Sequence, residues 1–167
     1  MNLIRLFIIL ASGFGAVFSG SFALENTEPK LINISTRGKV GSEVGQELIA
    51  GFVIEGDFEK YILIRAVGPY LAREGLEPES LLTDPYLMLV RHLEDGSIEV
   101  LEENDDWPWD EVRVDLQPFP VWGYIGGQST DAEITIMLEP GIYSAIVSGK
   151  GGSGIALVEV YESVNGP

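Results

Sequence analysis

The sequence predicts an all-β protein: a two-sheet antiparallel β-sandwich of about eight strands, jelly-roll-like or immunoglobulin-like in outline. Apolar residues recur with a period of two over short runs, and glycine, proline and acidic turns separate these runs. Helical periodicity is nearly absent, which favours two packed sheets over a mixed fold. The predicted strands cover residues 30–35, 47–54, 61–67, 86–93, 98–102, 133–138, 142–148 and 155–162.

Alternation within a strand predicts which side chains share a face. In the run 133–138, Ile134, Ile136 and Leu138 lie on one face and Glu133 and Thr135 on the other, as in a sheet with one face in water. In the run 61–67, the same alternation places Arg65 with apolar neighbours. Because a buried arginine requires a carboxylate partner, we expect Arg65 to form a structural ion pair.

The segments between strands carry turn chemistry. Glu94-Asp95-Gly96 and Glu139-Pro140-Gly141 each predict a hairpin, since glycine accepts turn dihedrals that other residues avoid. The glycine-rich run 149–154 matches a dinucleotide-binding motif only in spacing, because a β run follows it where that motif needs a helix. It is interpreted as a hairpin tip. One helical turn is predicted over residues 70–74.

The first 23 residues predict a cleaved signal peptide. A basic start precedes an apolar run, and Ser21-Phe22-Ala23 places small residues where a signal peptidase reads them. The run is short for a bilayer span and is interrupted by glycines. Residues 24–167 are therefore predicted to form a single secreted domain, extracellular or periplasmic, with no membrane span after cleavage.

Composition excludes several classes of function. The formal net charge of -16 disfavours nucleic-acid partners, which require a basic surface. The absence of cysteine excludes disulfide scaffolds, zinc ribbons and thiol catalysis. At 46% hydrophobic residues, the chain is too apolar for intrinsic disorder. His92 is the only histidine, and no nucleophile elbow or zinc-protease motif is present, so we expect no enzymatic activity.

Acidic residues concentrate between Glu94 and Asp115, inside and beside a predicted long loop at 104–130. Carboxylate and amide oxygens are the ligands that calcium prefers. The sequence therefore predicts a calcium site, although a solvated acidic loop is the alternative interpretation. The candidate metal ligands are Glu103, Asn104, Asp105, Asp106, Asp110 and Asp131.

The tryptophans lie beside these acids. Exposed aromatic rings can form a platform that stacks on sugars, whereas buried rings would fold the loop back onto the sheet. Both interpretations stay open. The candidate ligand platform consists of Trp107, Trp109, Trp122 and Tyr124.

Several motifs support a family resemblance. They include Asp84-Pro85, Asp95-Gly96-Ser97, Asn104-Asp105-Asp106-Trp107, Pro140-Gly141-Ile142-Tyr143 and Val147-Ser148-Gly149. With these motifs the chain resembles the bacterial pre-peptidase C-terminal domain. The runs 34–41, 48–54, 63–69 and 156–161 also resemble a group of exported bacterial β-domains of uncharacterised function.

The resemblance implies an exported β-sandwich with an accessory or adhesive role. It also implies that calcium, where bound, is held by acidic residues, of which Asp105, Asp106 and Asp131 match. We expect a non-enzymatic binding or adhesion module that acts on a surface polysaccharide or protein. Two alternatives are a structural protein that self-assembles into a matrix or surface layer, and a small carboxylate-dependent hydrolase.

Overall fold

The computed structural model describes residues 33–106 and 130–163, and in it the chain forms two four-stranded antiparallel sheets. This architecture confirms the predicted two-sheet β-sandwich of eight strands. The predicted signal peptide, residues 1–23, lies outside the described residues. The strands are β1 (Asn33–Val40), β2 (Leu48–Ile54), β3 (Lys60–Val67), β4 (Pro85–His92), β5 (Ile98–Asn104), β6 (Ala132–Leu138), β7 (Gly141–Gly149) and β8 (Gly154–Glu162).

The strand order identifies the topology as a jelly roll. Sheet A has the order β1-β8-β3-β6, and sheet B has the order β2-β7-β4-β5. The chain changes sheet at almost every connection, and only β4 and β5 are consecutive strands in one sheet, joined through Asp95-Gly96. This order distinguishes the two topologies that the sequence left open.

The core lies between the sheets and follows the alternation of each strand. Ile62 and Ile64 of β3 face Leu87 and Leu89 of β4 across the interior, and all four are buried. The ring of Tyr143 stacks on that of Phe52 with centroids 5.5 Å apart. Burial of such side chains contributes about 1.5–3 kcal/mol each, so this core supplies the main stabilising term.

Strand β3 is buried on both faces. Its core-facing residues alternate with Leu63, Arg65 and Val67, which lie on the opposite face of sheet A and are also almost inaccessible to solvent. The run 61–67 therefore reads as a continuous apolar stretch with one charge in the middle. A short 3-10 helix, Pro69–Glu74, follows the strand and confirms the predicted helical turn.

Two predicted hairpins are wrong. Glu139-Pro140 connects β6 in sheet A to β7 in sheet B, and residues 150–153 connect β7 back to β8 in sheet A. Turn residues reverse the chain direction but do not determine which sheet the next strand joins. The second connection is held to another loop, since Lys150 donates its backbone N–H to the carbonyl oxygen of Asp84 at 3.0 Å.

The largest boundary difference is in β1, which was predicted over residues 30–35 and is observed over Asn33–Val40. The polar residues Thr36, Arg37 and Lys39 continue the strand because β1 pairs with β8 along its whole length. Pairing with a neighbour overrides weak local propensity here. Within the two described segments, no helix has the length and apolar character that a bilayer span requires.

Gly154 is expected to be intolerant of any side chain. A Cβ atom at this position would lie 2.3 Å from backbone atoms of both Leu81 and Leu82, which cannot move aside as a flexible side chain could. We expect Gly154→Ala to lower the free energy of unfolding by about 1–3 kcal/mol, measured by urea denaturation. Gly152→Ala is the matched control, because its nearest neighbour would be Thr83 Oγ1 at 3.8 Å. Equal stability of the two variants would contradict the prediction.

Candidate functional site

Two of the predicted calcium ligands already bind backbone N–H groups. The side chain of Asp131 is buried, and its Oδ1 accepts a hydrogen bond of 2.6 Å from the N–H of Gly68. Asn104 Oδ1 accepts a bond of 3.1 Å from the N–H of Glu133. These two contacts tie the loop after β3 and the end of β5 to the start of β6.

The other predicted ligands point to different surroundings. Glu103 lies on the outer face of sheet B, near Tyr86. Asp105 forms an ion pair with Lys150, and Asp106 is exposed. Among the residues that the structure describes, no three acidic or histidine side chains are grouped as a metal site would require. Asp110 and the aromatic platform candidates Trp107, Trp109, Trp122 and Tyr124 lie outside the described residues.

A buried ionic cluster occupies the outer face of sheet A. Arg65 stands between two carboxylates, opposite Glu133 on β6 and Glu159 on β8. Arg65 Nη1 lies 3.6 Å from Glu159 Oε2, which agrees with the ion pair expected from the sequence. The exposed fractions of Arg65 and Glu133 are only 3% and 5%, so this charge cluster is held away from water.

Hydroxyl groups complete the surroundings of the two carboxylates. Tyr161 donates to Glu159 Oε1 at 2.9 Å, and Thr135 donates to Glu133 Oε1 at 3.3 Å. Burial raises the pKa of Tyr161 far above its ordinary value of 10.0, and the adjacent charge of Glu159 adds to this shift. Because the Arg65–Glu159 contact joins neighbouring strands and the cluster is closed to water, it has the features of a structural network rather than of a substrate site.

The raised pKa of Tyr161 predicts a loss of stability in alkali. Above about pH 10, this hydroxyl ionises in the unfolded chain but stays protonated in the folded protein, so the free energy of unfolding falls as pH rises. Tyr161→Phe should reduce the loss between about pH 8 and about pH 11, measured by urea denaturation at each pH. Part of the loss should persist, because burial also raises the pKa of Tyr143. An unchanged pH dependence in the variant would contradict this assignment.

The outer face of sheet B exposes a set of large apolar side chains. The strand registers place these residues on one face of sheet B, on the strands β2, β7 and β5. Their exposed fractions lie between 51% and 60%, which separates them from the buried residues that alternate with them. The five residues are Ile49, Val53, Ile98, Val100 and Ile142. We call this set the apolar face.

Polar groups lie within and beside the apolar face. His92 Nε2 is 2.9 Å from Ser144 Oγ, in the middle of the sheet. At the other end of the face, Glu103 lies near Tyr86, and the pKa of Tyr86 is raised by burial and then by this carboxylate. Glu47 directly precedes β2 at the same end. The face therefore combines apolar side chains on both sides of the His92–Ser144 pair with a carboxylate-bearing end.

Sequence patterning alone did not reveal the apolar face. The strand β2 reads Leu-Ile-Ala-Gly-Phe-Val-Ile, which is apolar at every position, so alternation between its two faces cannot be detected. Its pattern of burial shows that Ala50 and Phe52 enter the core while Ile49 and Val53 face outward. The sequence did carry one indication of the apolar face. Strand β2 is apolar on both of its faces, whereas the core covers only one face of the sheet to which it belongs.

Comparisons with known proteins do not assign this chain to a family. No protein-family model matches the chain, and no curated protein matches it. A crystal structure of a protein from Sulfurospirillum deleyianum is similar in part, with 11% sequence identity and a TM-score of 0.41. That alignment covers 81% of this chain and 99% of the other. The resemblance to the pre-peptidase C-terminal domain stays a prediction.

Proposed function

We infer that the protein is a binding module that uses the apolar face of sheet B to hold a partner protein. The single observation that carries this proposal is the set of five exposed aliphatic side chains that β2, β7 and β5 place on one face of sheet B. Folded monomers rarely expose contiguous apolar surface of this kind unless it has a binding role. Export through the predicted signal peptide would bring the module to the cell surface or its surroundings, and this remains part of the proposal.

Two features favour a basic protein as the partner. The chain is strongly acidic overall, and Glu47 and Glu103 lie at one end of the apolar face, so a cationic rim on the partner would be attracted. Aliphatic side chains dominate the face, whereas sugar recognition depends on aromatic stacking and dense hydrogen bonding. A polysaccharide is therefore less well matched to this face than an apolar protein surface with lysine or arginine around it.

The proposal predicts selective binding of a cationic amphipathic strand. The probe is a fluorescent peptide in which lysine alternates with valine, compared with the same peptide carrying glutamate. We expect the lysine peptide to bind more tightly in fluorescence anisotropy, and Ile98→Ser combined with Ile142→Ser to weaken its binding about tenfold or more.

The matched control is Val44→Ser, which removes an exposed valine that lies in the turn before β2 and off the face. This variant should bind the lysine peptide as the parent protein does. Equal binding of the two peptides, or an unchanged affinity in the Ile98 and Ile142 double variant, would overturn the proposal.

Calcium stabilisation is a separate proposal that rests on the acidic composition of the loop at 104–130. Calcium that binds only the folded protein would raise the thermal midpoint by mass action. We expect Asp105→Asn combined with Asp106→Asn to remove that rise, measured by thermal denaturation with calcium and with chelator. If the thermal midpoint is the same in calcium and in chelator, the acidic loop binds no calcium and its carboxylates are solvated.

A further inference from the structure

We propose that β2 is a self-association edge, at which two copies of this chain pair antiparallel and join their B sheets into one. Strand β2 is the terminal strand of sheet B in the described part of the chain, with β7 as its neighbour on one side. In a terminal strand, every second residue directs its N–H and C=O away from the sheet, which makes the strand a template for another strand. The proposal does not depend on binding by the apolar face.

Composition separates β2 from the other terminal strands. Proteins protect exposed edges with charged residues, prolines or bulges. Strand β1 carries Arg37 and Lys39, β5 carries three glutamates, and β6 carries Glu133. Among the four terminal strands of the described sheets, only β2 contains no charged residue, and it has no proline. Its edge therefore lacks the features that prevent pairing.

The sequence of β2 is self-complementary about its centre. A two-fold axis at Gly51 places Gly51 opposite Gly51 of the second copy in an antiparallel pair. On the outer face, each Ile49 then lies opposite a Val53, and β-branched pairs of this kind stabilise neighbouring strands. On the inner face, the small Ala50 lies opposite the large Phe52. Both faces match under one symmetry operation, as an isologous interface requires.

The glycine at this centre has no explanation within one copy. Gly51 is exposed, and a Cβ atom there would meet only Tyr143 O at 3.9 Å and Ser144 Oγ at 4.0 Å, which is ordinary contact. A larger residue would therefore fit the single chain. Side chains stand perpendicular to a sheet, so a strand paired at this edge would also leave room for a side chain at position 51, where the cysteine of the test below is placed.

Local charge and interface size set the expected strength. Gly38 of β1 lies close to the side chain of Leu48 of β2, since a Cβ atom on Gly38 would be 2.9 Å from Leu48 Cδ1. The neighbours of Gly38, Arg37 and Lys39, therefore lie on the same side of the molecule as the two carboxylates that flank β2, Glu47 and Glu55. In the proposed register each Glu47 lies opposite Glu55 of the second copy, so two pairs of like charges oppose self-association, although the cations Arg37 and Lys39 lie near them. A seven-residue antiparallel edge is about 24 Å long, which is small for a stable interface, so we expect a weak dimer that depends on concentration.

Cysteine cross-linking tests the register, because the natural chain contains no cysteine. In the proposed pair, the Cα atoms of the two copies of residue 51 lie about 4.5–5.5 Å apart, within the range of a disulfide. We expect mild oxidation to cross-link Gly51→Cys as a dimer. We also expect a mixture of Ile49→Cys and Val53→Cys to cross-link, while each of these variants alone does not, because like positions lie about 14 Å apart.

Two further measurements make the outcome decisive. Ile98→Cys, on the opposite edge strand β5 and equally exposed, is the control and should not cross-link. Sedimentation of the unmodified protein should show a monomer–dimer equilibrium that shifts with concentration. A strict monomer at the highest soluble concentration, or cross-linking of Ile49→Cys alone as efficiently as the mixture, would overturn the proposal.

Discussion

Replacing Arg65 with methionine is expected to lower the free energy of unfolding by about 3–5 kcal/mol. Arg65 lies opposite Glu133 and Glu159 in the middle of sheet A, and it is almost completely buried. Methionine fills similar space, but it leaves two carboxylates in a buried site without their cation. Urea denaturation of the folded variant, monitored by tyrosine and tryptophan fluorescence, measures the loss.

The matched control is the more exposed ion pair at the end of the same strand. Lys60 Nζ lies 3.0 Å from Glu162 Oε1, and their side chains are 37% and 20% exposed. Lys60→Met should cost no more than about 1 kcal/mol, because water screens such a pair. If Arg65→Met costs no more than Lys60→Met, the buried cluster does not stabilise the fold as proposed. Adding Glu159→Gln to Arg65→Met should recover part of the loss by removing one uncompensated charge.

Replacing Tyr143 with alanine is expected to cost about 3–5 kcal/mol, the loss typical of a large ring removed from a core. Tyr143 is 1% exposed and stacks on Phe52 between the two sheets. Its hydroxyl donates a 2.7 Å hydrogen bond to the carbonyl oxygen of Glu139, in the connection that carries the chain from sheet A to sheet B. The ring therefore joins the core to the turn that changes sheets.

Tyr143→Phe separates these two contributions. It keeps the stacked ring and removes only the hydrogen bond to Glu139, so we expect a loss of about 1 kcal/mol. Urea denaturation compares the two variants under one condition. A loss in Tyr143→Phe as large as in Tyr143→Ala would mean that the connection, and not the core, depends on this residue.

The proposed dimer would change how the proposed binding face works. Pairing of two β2 strands about Gly51 keeps Ile49 and Val53 of both copies on the same face of the joined sheet. Two apolar faces would then lie side by side on one surface. A partner that engages both would bind more strongly than one that engages a single copy, through the high effective concentration of the second site.

Much of the fold followed from local chemistry. The alternation in the run 133–138 predicted that Ile134 and Leu138 of β6 enter the core, and Asp95-Gly96 predicted the turn between β4 and β5. The same alternation predicted that Glu133 faces water, which is wrong, because the opposite face of sheet A is also buried at this position. The need of a buried guanidinium for a carboxylate predicted the partner class of Arg65. The candidate calcium ligands were less predictable, because Asn104 and Asp131 bind backbone N–H groups that come from distant parts of the chain.

What the sequence determined by itself is the all-β character of the protein, since a period of two and the turn residues act over a few neighbouring positions. Only the tertiary structure decided the sheet to which each strand belongs, and so placed the connection at Glu139-Pro140 between two sheets. It also decided that Ile49 and Val53 face outward, because in a strand that is apolar throughout, only packing against the second sheet distinguishes the faces. Pairing and packing join residues far apart in the chain, and no local pattern encodes them.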